Sequence, residues 1–93
     1  VARTSFAGAT PNPSRGTNRF DFTLAHAGRA SLVLVDVSGR IVRTLADGDY
    51  SAGPQSIGWD GRDQSGARVA PGIYHARLAT AQGTFTRRFA VVF

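Results

Sequence analysis

Apolar and polar residues alternate with a period of two along most of this chain, which is the repeat of strands and not of helices. From Arg19 to Leu24, Phe20, Phe22 and Leu24 share one parity and Arg19, Asp21 and Thr23 the other, predicting a first strand with its aromatics inward. A turn over His26 to Arg29 follows. Ala30 to Val37 is apolar on both parities, Leu32 and Leu34 against Val33, Val35 and Val37, as expected of a central strand covered on both faces. Ser38-Gly39 predicts a tight hairpin into a strand over Ile41 to Ala46, and Asp47-Gly48-Asp49 a loop running to Gly53. Further strands are expected over Gly53 to Trp59, Ala67 to Val69, Ile73 to Ala79 and Thr84 to Val92. Seven short strands with turn signals between them, and no sustained helical period, predict an all-β, two-sheet antiparallel sandwich. Its expected core is Phe20, Phe22, Leu32, Leu34, Val35, Ile41, Leu45, Ile57, Trp59, Tyr74, Leu78, Phe89 and Val91. The last strand carries a conflict, because Arg87 shares the parity of Phe85, Phe89, Val91 and Phe93. A buried unpaired guanidinium is costly, so a bulge at Arg87-Arg88, or an edge position that lets Arg87 reach water, is expected there.

The stretch from Gly53 to Leu78 has the clearest strand–turn–strand grammar. Ile57 and Trp59 form one face of a strand. Asp60-Gly61 and Ser65-Gly66 then supply left-handed positions that suit glycine, and Asp60 and Asp63 can accept hydrogen bonds from backbone N–H groups just ahead of them. Pro71-Gly72 opens a strand with Tyr74, Ala76 and Leu78 on one face and His75 and Arg77 on the other. At the other end of the chain, residues 1 to 10 are small and polar apart from Val1 and Phe6, and Pro11 and Pro13 follow. They are expected to form an extended arm or linker, with the sandwich domain occupying 11 to 93. Phe6 is the residue there suited to docking, on an edge or groove of its own domain or of a neighbour.

Composition narrows the function classes. Ninety-three residues make one domain, and eleven Gly with four Pro suit a turn-rich β chain. There is no Cys, so disulfides play no part, and no apolar run is long enough to make a spanning helix. All eleven basic residues are Arg and all six acidic residues are Asp, giving a net charge of +5. The arginines are dispersed and the phenylalanines sit at core positions, which argues against a nucleic-acid surface. Catalysis is poorly supplied, since there is no Cys, Glu or Lys, and His26 and His75 both read as solvated. Asp60 and Asp63, with Ser65, are the candidates for a calcium loop, and Asp47 with Asp49 a second pair. The spacing of Gly61 and Gly66 is explained by turns alone, so bracing of the loop by the carboxylates is the preferred reading, with no metal and no cofactor.

The run Trp-Asp-Gly-Arg-Asp-x-x-Gly-x-x-Val-x-x-Gly-x-Tyr, which sets Trp59, Asp60, Gly61, Asp63, Gly66, Gly72 and Tyr74, resembles the C-terminal Ig-like β-sandwich modules of bacterial secreted proteins. Those include type IX secretion sorting domains and the Ig-like domain of the flagellar hook-capping protein. Pro11-Asn12-Pro13-Ser14-Arg15-Gly16 is similar to the opening of such domains, and Asp36, Gly39 and Arg40 lie in a stretch, Val35 to Val42, similar to their hairpin. The resemblance implies a seven-stranded Ig-like (fibronectin III-like) fold and a non-enzymatic module, extracellular or at the outer cell surface, that sorts or anchors a secreted protein. Its partners would be export machinery, a cargo domain or identical subunits. The alternative is a self-assembling, homo-oligomeric subunit of an extracellular filament or stalk, using the N-terminal arm or strand edges, with Phe6, Arg87 and Arg88 as assembly candidates. Arg87 and Arg88 match the basic residues near the end of sorting domains, whereas the chain stops at Phe93 without their short polar tail.

Overall fold

The computed structural model describes residues 3–13, 15 and 17–92. Val1, Ala2, Ser14, Gly16 and Phe93, which figured in the expected arm, opening motif and final strand, lie outside the described residues. Seven strands run in chain order: β1 (Ser5–Thr10), β2 (Asn18–Leu24), β3 (Gly28–Asp36), β4 (Ile41–Tyr50), β5 (Gly53–Trp59), β6 (Gly72–Thr80) and β7 (Gly83–Val91). They form a three-stranded sheet, β1-β2-β5, and a four-stranded sheet, β4-β3-β6-β7, and every pairing is antiparallel. The sandwich is elongated, 40 × 22 × 20 Å.

The inner faces follow from the alternation. Phe20, Phe22 and Leu24 meet Leu32, Leu34, Ala76, Leu78, Phe89 and Val91, all nearly inaccessible to water. Around Phe89 the rings interlock, with Phe20 at 5.4 Å and Trp59 at 5.9 Å, both edge-on. Such pairs each add about 0.5–1.5 kcal/mol beyond burial.

Four expectations are corrected. First, residues 5 to 10 are not a linker: they form the edge strand β1 beside β2, and Phe6, 2% exposed, seats in the core of its own domain. Second, Ala67 to Val69 is not a strand, since only Arg68 makes an isolated bridge, to Arg62. Third, Ile41 is 61% exposed, and Leu45 and Ile57 only pack against the core from partly buried positions. Register shifts where β4 pairs with Leu32/Val33 and Leu34/Val35 insert extra residues into β4, so Val42 and Ala46 turn inward in place of Ile41. A one-residue slip exchanges the faces of a strand. Fourth, β4 does not stop at Ala46; Asp47 to Tyr50 continue it, paired with Gly28 to Ser31.

The Arg87 conflict is resolved at an edge and not by a bulge, since β6 and β7 pair without a break. β7 is the last strand of its sheet, and Arg87 Nε donates to the Phe6 carbonyl at 3.0 Å, joining β7 to β1 of the other sheet. Gly8, in the left-handed region at φ 95°, makes room: a Cβ there would stand 3.3 Å from Arg87 Cβ and Cγ. Asn12 Oδ1 accepts from Ala90 N–H at 3.1 Å on the same flank. The opposite edge, β4, is padded by the β5–β6 connection.

Candidate functional site

The β1–β2, β3–β4 and β5–β6 connections all emerge at one end of the sandwich, the end at which β7 finishes. Two of them contain the same five-residue device. In Asp36-Val37-Ser38-Gly39-Arg40, Asp36 Oδ1 accepts from Ser38 N–H (3.0 Å), Ser38 Oγ–H (2.6 Å) and Arg40 N–H (3.0 Å), while Gly39 N–H donates to the Asp36 carbonyl (3.0 Å). In Asp63-Gln64-Ser65-Gly66-Ala67, Asp63 Oδ1 accepts from Ser65 N–H (2.9 Å), Ser65 Oγ–H (2.6 Å) and Ala67 N–H (3.1 Å), and Gly66 N–H donates to the Asp63 carbonyl (3.0 Å). The glycines hold φ of 86° and 91°, which a side chain adopts only at a cost. Sequence reasoning found each carboxylate and each glycine but not that the two loops are copies of one motif; the shared Asp-x-Ser-Gly spacing is the signal that finds it.

The Ser38 hydroxyl, foremost, with the Arg40 and Ser38 backbone donors and the Arg40 charge, holds Asp36 below its ordinary pKa of 3.8, against desolvation. The Ser65 hydroxyl does the same for Asp63, helped by the N–H groups of Ala67 and Ser65 and by Arg40. Arg40 Nε reaches Asp36 Oδ2 at 3.3 Å, so one guanidinium serves both carboxylates. Asp60 is also lowered: desolvation works against it, and the Arg62 N–H and the Arg43 guanidinium outweigh that. Arg43 donates to Asp60 Oδ1 at 2.7 Å and to the Arg62 carbonyl at 3.1 Å, and Trp59 Nε1–H reaches the same carbonyl at 2.9 Å. Gln64 completes the padding of β4, its N–H on the Val42 carbonyl (3.0 Å) and its Oε1 accepting from Thr44 N–H (3.1 Å). Gly61 is buried, and its carbonyl accepts from Val69 N–H at 3.0 Å.

Between the loops lies an open cleft of about 420 Å³, with Arg40, Arg68 and the two Asp loops as walls and Val42, Val69 and Tyr74 as floor. Tyr74 donates its hydroxyl to the Ala70 carbonyl just upstream, closing the connection onto β6, and burial foremost raises its pKa. Gly72 opens β6 opposite Val91. Asp60 Oδ1 accepts from Arg62 N–H and Arg43, and Asp63 Oδ1 from Ser65 and Ala67, so these oxygens brace the loop. Asp47 is paired with Arg29 at 2.7 Å.

The Pro11-Asn12-Pro13 turn sits at this same end. Asn18, buried and not singled out by its sequence position, donates to the Pro11 carbonyl at 2.7 Å, and its Oδ1 has no partner among the described residues. The signal was present: Asn18 holds the inward parity of Phe20 and Phe22. The histidines are not brought together. His26 is exposed in the β2–β3 turn, at the far end, and His75 lies on the outer face of β6 opposite Arg88. Phe6 is enclosed, Arg87 is tied to β1, and Arg88 points outward from β7.

The basal-body rod modification protein FlgD of Salmonella typhimurium is 33% identical over 57 residues, 61% of this chain and 25% of that protein. The chain thus spans about a quarter of the curated relatives it matches. Among solved structures, FlgD from Xanthomonas campestris, described in connection with hook capping, superposes with a TM-score of 0.60 at 25% identity, over 94% of this chain and 64% of that one. Dimeric latent PorU from Porphyromonas gingivalis gives 0.75 at 20% identity over 99% of this chain and 10% of that one, a likeness of fold. The FlgD Ig-like domain model matches residues 8–84, from β1 through both Asp loops into β7, and the chain belongs to that family.

Proposed function

We propose that this chain is the Ig-like module of a non-enzymatic structural protein that is exported and works in an assembly outside the cell, as the hook-capping relatives do. The observation that carries the reading is the family match from Gly8 to Thr84, which includes the braced end as well as the core. A module whose loops are held by short hydrogen bonds presents a surface that loses little conformational freedom when a partner binds, and that suits an assembly part. This favours the structural reading over the sorting and anchoring one, for which the PorU likeness supplies fold alone. Self-association through the N-terminal residues would require β1 to leave its own sheet, because Phe6 already fills the core.

Removing the segment from the parent gene separates the two readings. Immunoblots of the culture medium should still detect the rest of the protein, while electron microscopy of the cells should show an extracellular structure that is lost or misassembled. Retention of the truncated protein inside the cell would support sorting instead.

A further inference from the structure

Among the described residues the exposed large hydrophobics are Val37, Ile41, Ile73 and Val92, at 75%, 61%, 41% and 41%. All four fall at the braced end of the four-stranded sheet, one on or beside each strand. The register places Ile41 and Ile73, with their neighbours, on the outer face. Ile41, Val35, His75 and Arg88 stand in one row across β4, β3, β6 and β7, and Thr44, Val33, Arg77 and Thr86 form the next. Ile73 and Ala90 lie on the other side of the first row, towards the end of the sheet. The face is therefore mixed, with exposed aliphatic side chains at Ile41 on β4 and Ile73 on β6 and exposed cationic side chains at Arg77 on β6 and Arg88 on β7. Carboxylates enter it only at the far rows, at Asp47, already paired with Arg29, and Asp49.

We infer that this face is a docking surface for an acidic, aliphatic segment of another protein, its apolar side chains over the exposed Ile41 and Ile73, with the buried Val35 beneath them, and its carboxylates over His75, Arg77 and Arg88. An apolar patch gathered in one place and rimmed with charge is how interaction sites differ from scattered surface hydrophobics. Charge selects the occupant. A second copy laid face to face brings Arg77 and Arg88 against their own kind, which like-charge repulsion opposes. An anionic membrane is disfavoured because no aromatic side chain stands in the patch to enter the lipid interface. The surface rests on the assembly reading for its biological role, but its binding is measured independently of export or assembly.

The test uses the folded chain and two labelled peptides, Leu-Asp-Val-Glu-Ile-Asp and its charge-reversed counterpart Leu-Lys-Val-Lys-Ile-Lys, in fluorescence polarisation at low salt. The acidic peptide should bind, weaken as salt is added, and shift amide resonances of β3, β6 and β7. Ile73→Asp and the double variant Arg77→Glu/Arg88→Glu, whose side chains are exposed, should each weaken it about tenfold or more while leaving the melting temperature within a few degrees. The proposal is overturned if the acidic peptide fails to bind at about 1 mM, if the lysine peptide binds equally, or if the variants bind as the parent does. It is equally overturned if the face instead sediments with phosphatidylglycerol vesicles, or if Ile73→Asp abolishes a self-dimer.

Discussion

The two Asp-x-Ser-Gly loops are matched in hydrogen bonds yet differ in what they join. The first, Asp36 to Arg40, connects two adjacent strands, and Asp36 N–H donates to the Arg40 carbonyl at 3.0 Å as a hairpin requires. In the second, Asp63 N–H donates to the Ala67 carbonyl at 2.8 Å, but no strand follows; the chain instead lies along β4 and is held there by Gln64, Arg43 and Trp59. A local motif thus settles the path of its own few residues, while the element it belongs to is decided by what those residues lie against.

The largest disturbance of that contrast is expected from Trp59→Ala. Trp59 is buried against Phe89 and also anchors the second loop through Arg62, so its truncation should cost about 3–5 kcal/mol in equilibrium denaturation and loosen that loop alone. Amide exchange should quicken at Gly66 and Ala67 and stay slow at Gly39 and Arg40; equal loosening would mean that the loops are coupled through the cleft. Next come Gly39→Ala and Gly66→Ala. Each forces a side chain into left-handed backbone, costing roughly 1–2 kcal/mol, and similar losses from both would confirm that the device is one and the same.

A sharper separation comes from the second position of each loop. Gln64→Ala removes the acceptor of Thr44 N–H and should lower stability by about 1 kcal/mol, whereas Val37→Ala, at an exposed position, should be nearly neutral in thermal melts. The smallest effect is acid dependence. Asp36 and Asp63 both have native pKa values depressed below 3.8, so their contribution is complete above that value and is lost as pH falls through the lower, native value. Melting temperatures followed from about pH 5 to pH 2 should fall below about pH 4, and Ser65→Ala should flatten the fall by returning Asp63 towards 3.8.

What was legible follows the same division. Strands with strict alternation, such as β2 and β6, and the glycine turns were readable because one side chain period or one backbone conformation specifies them. β1 was not, because Ser5 to Thr10 consists of small residues around one Phe and is interrupted at Gly8, where the register shifts; its place depends on Arg87, 81 residues away from Phe6. β4 was half readable, since its bulges reverse the faces that alternation assigns. Of the braced end, the carboxylates, Trp59 and Tyr74 stood out, but Arg43 and Gln64 did not, as each matters through a partner 17 or 20 residues away, and Asn18 showed only as a polar residue at the inward parity of β2. The outer face went unread for a related reason: its rows exist only once four strands are in register.

The placement of β1 and β7 bears on how the domain would carry force. β1 begins at the turn end, where Thr4 Oγ1–H donates to Gln82 Oε1 at 3.2 Å, and β7 finishes at the braced end, so the two lie at opposite ends of a body 40 Å long. Tension applied between Arg3 and Val92 therefore runs along both strands, across hydrogen bonds that stand perpendicular to it. The bonds of β1 to β2 and of β7 to β6 must then slide past one another together and cannot open one at a time from a frayed end. Arg87, which ties β1 to β7, adds a further bond that such a pull would have to break.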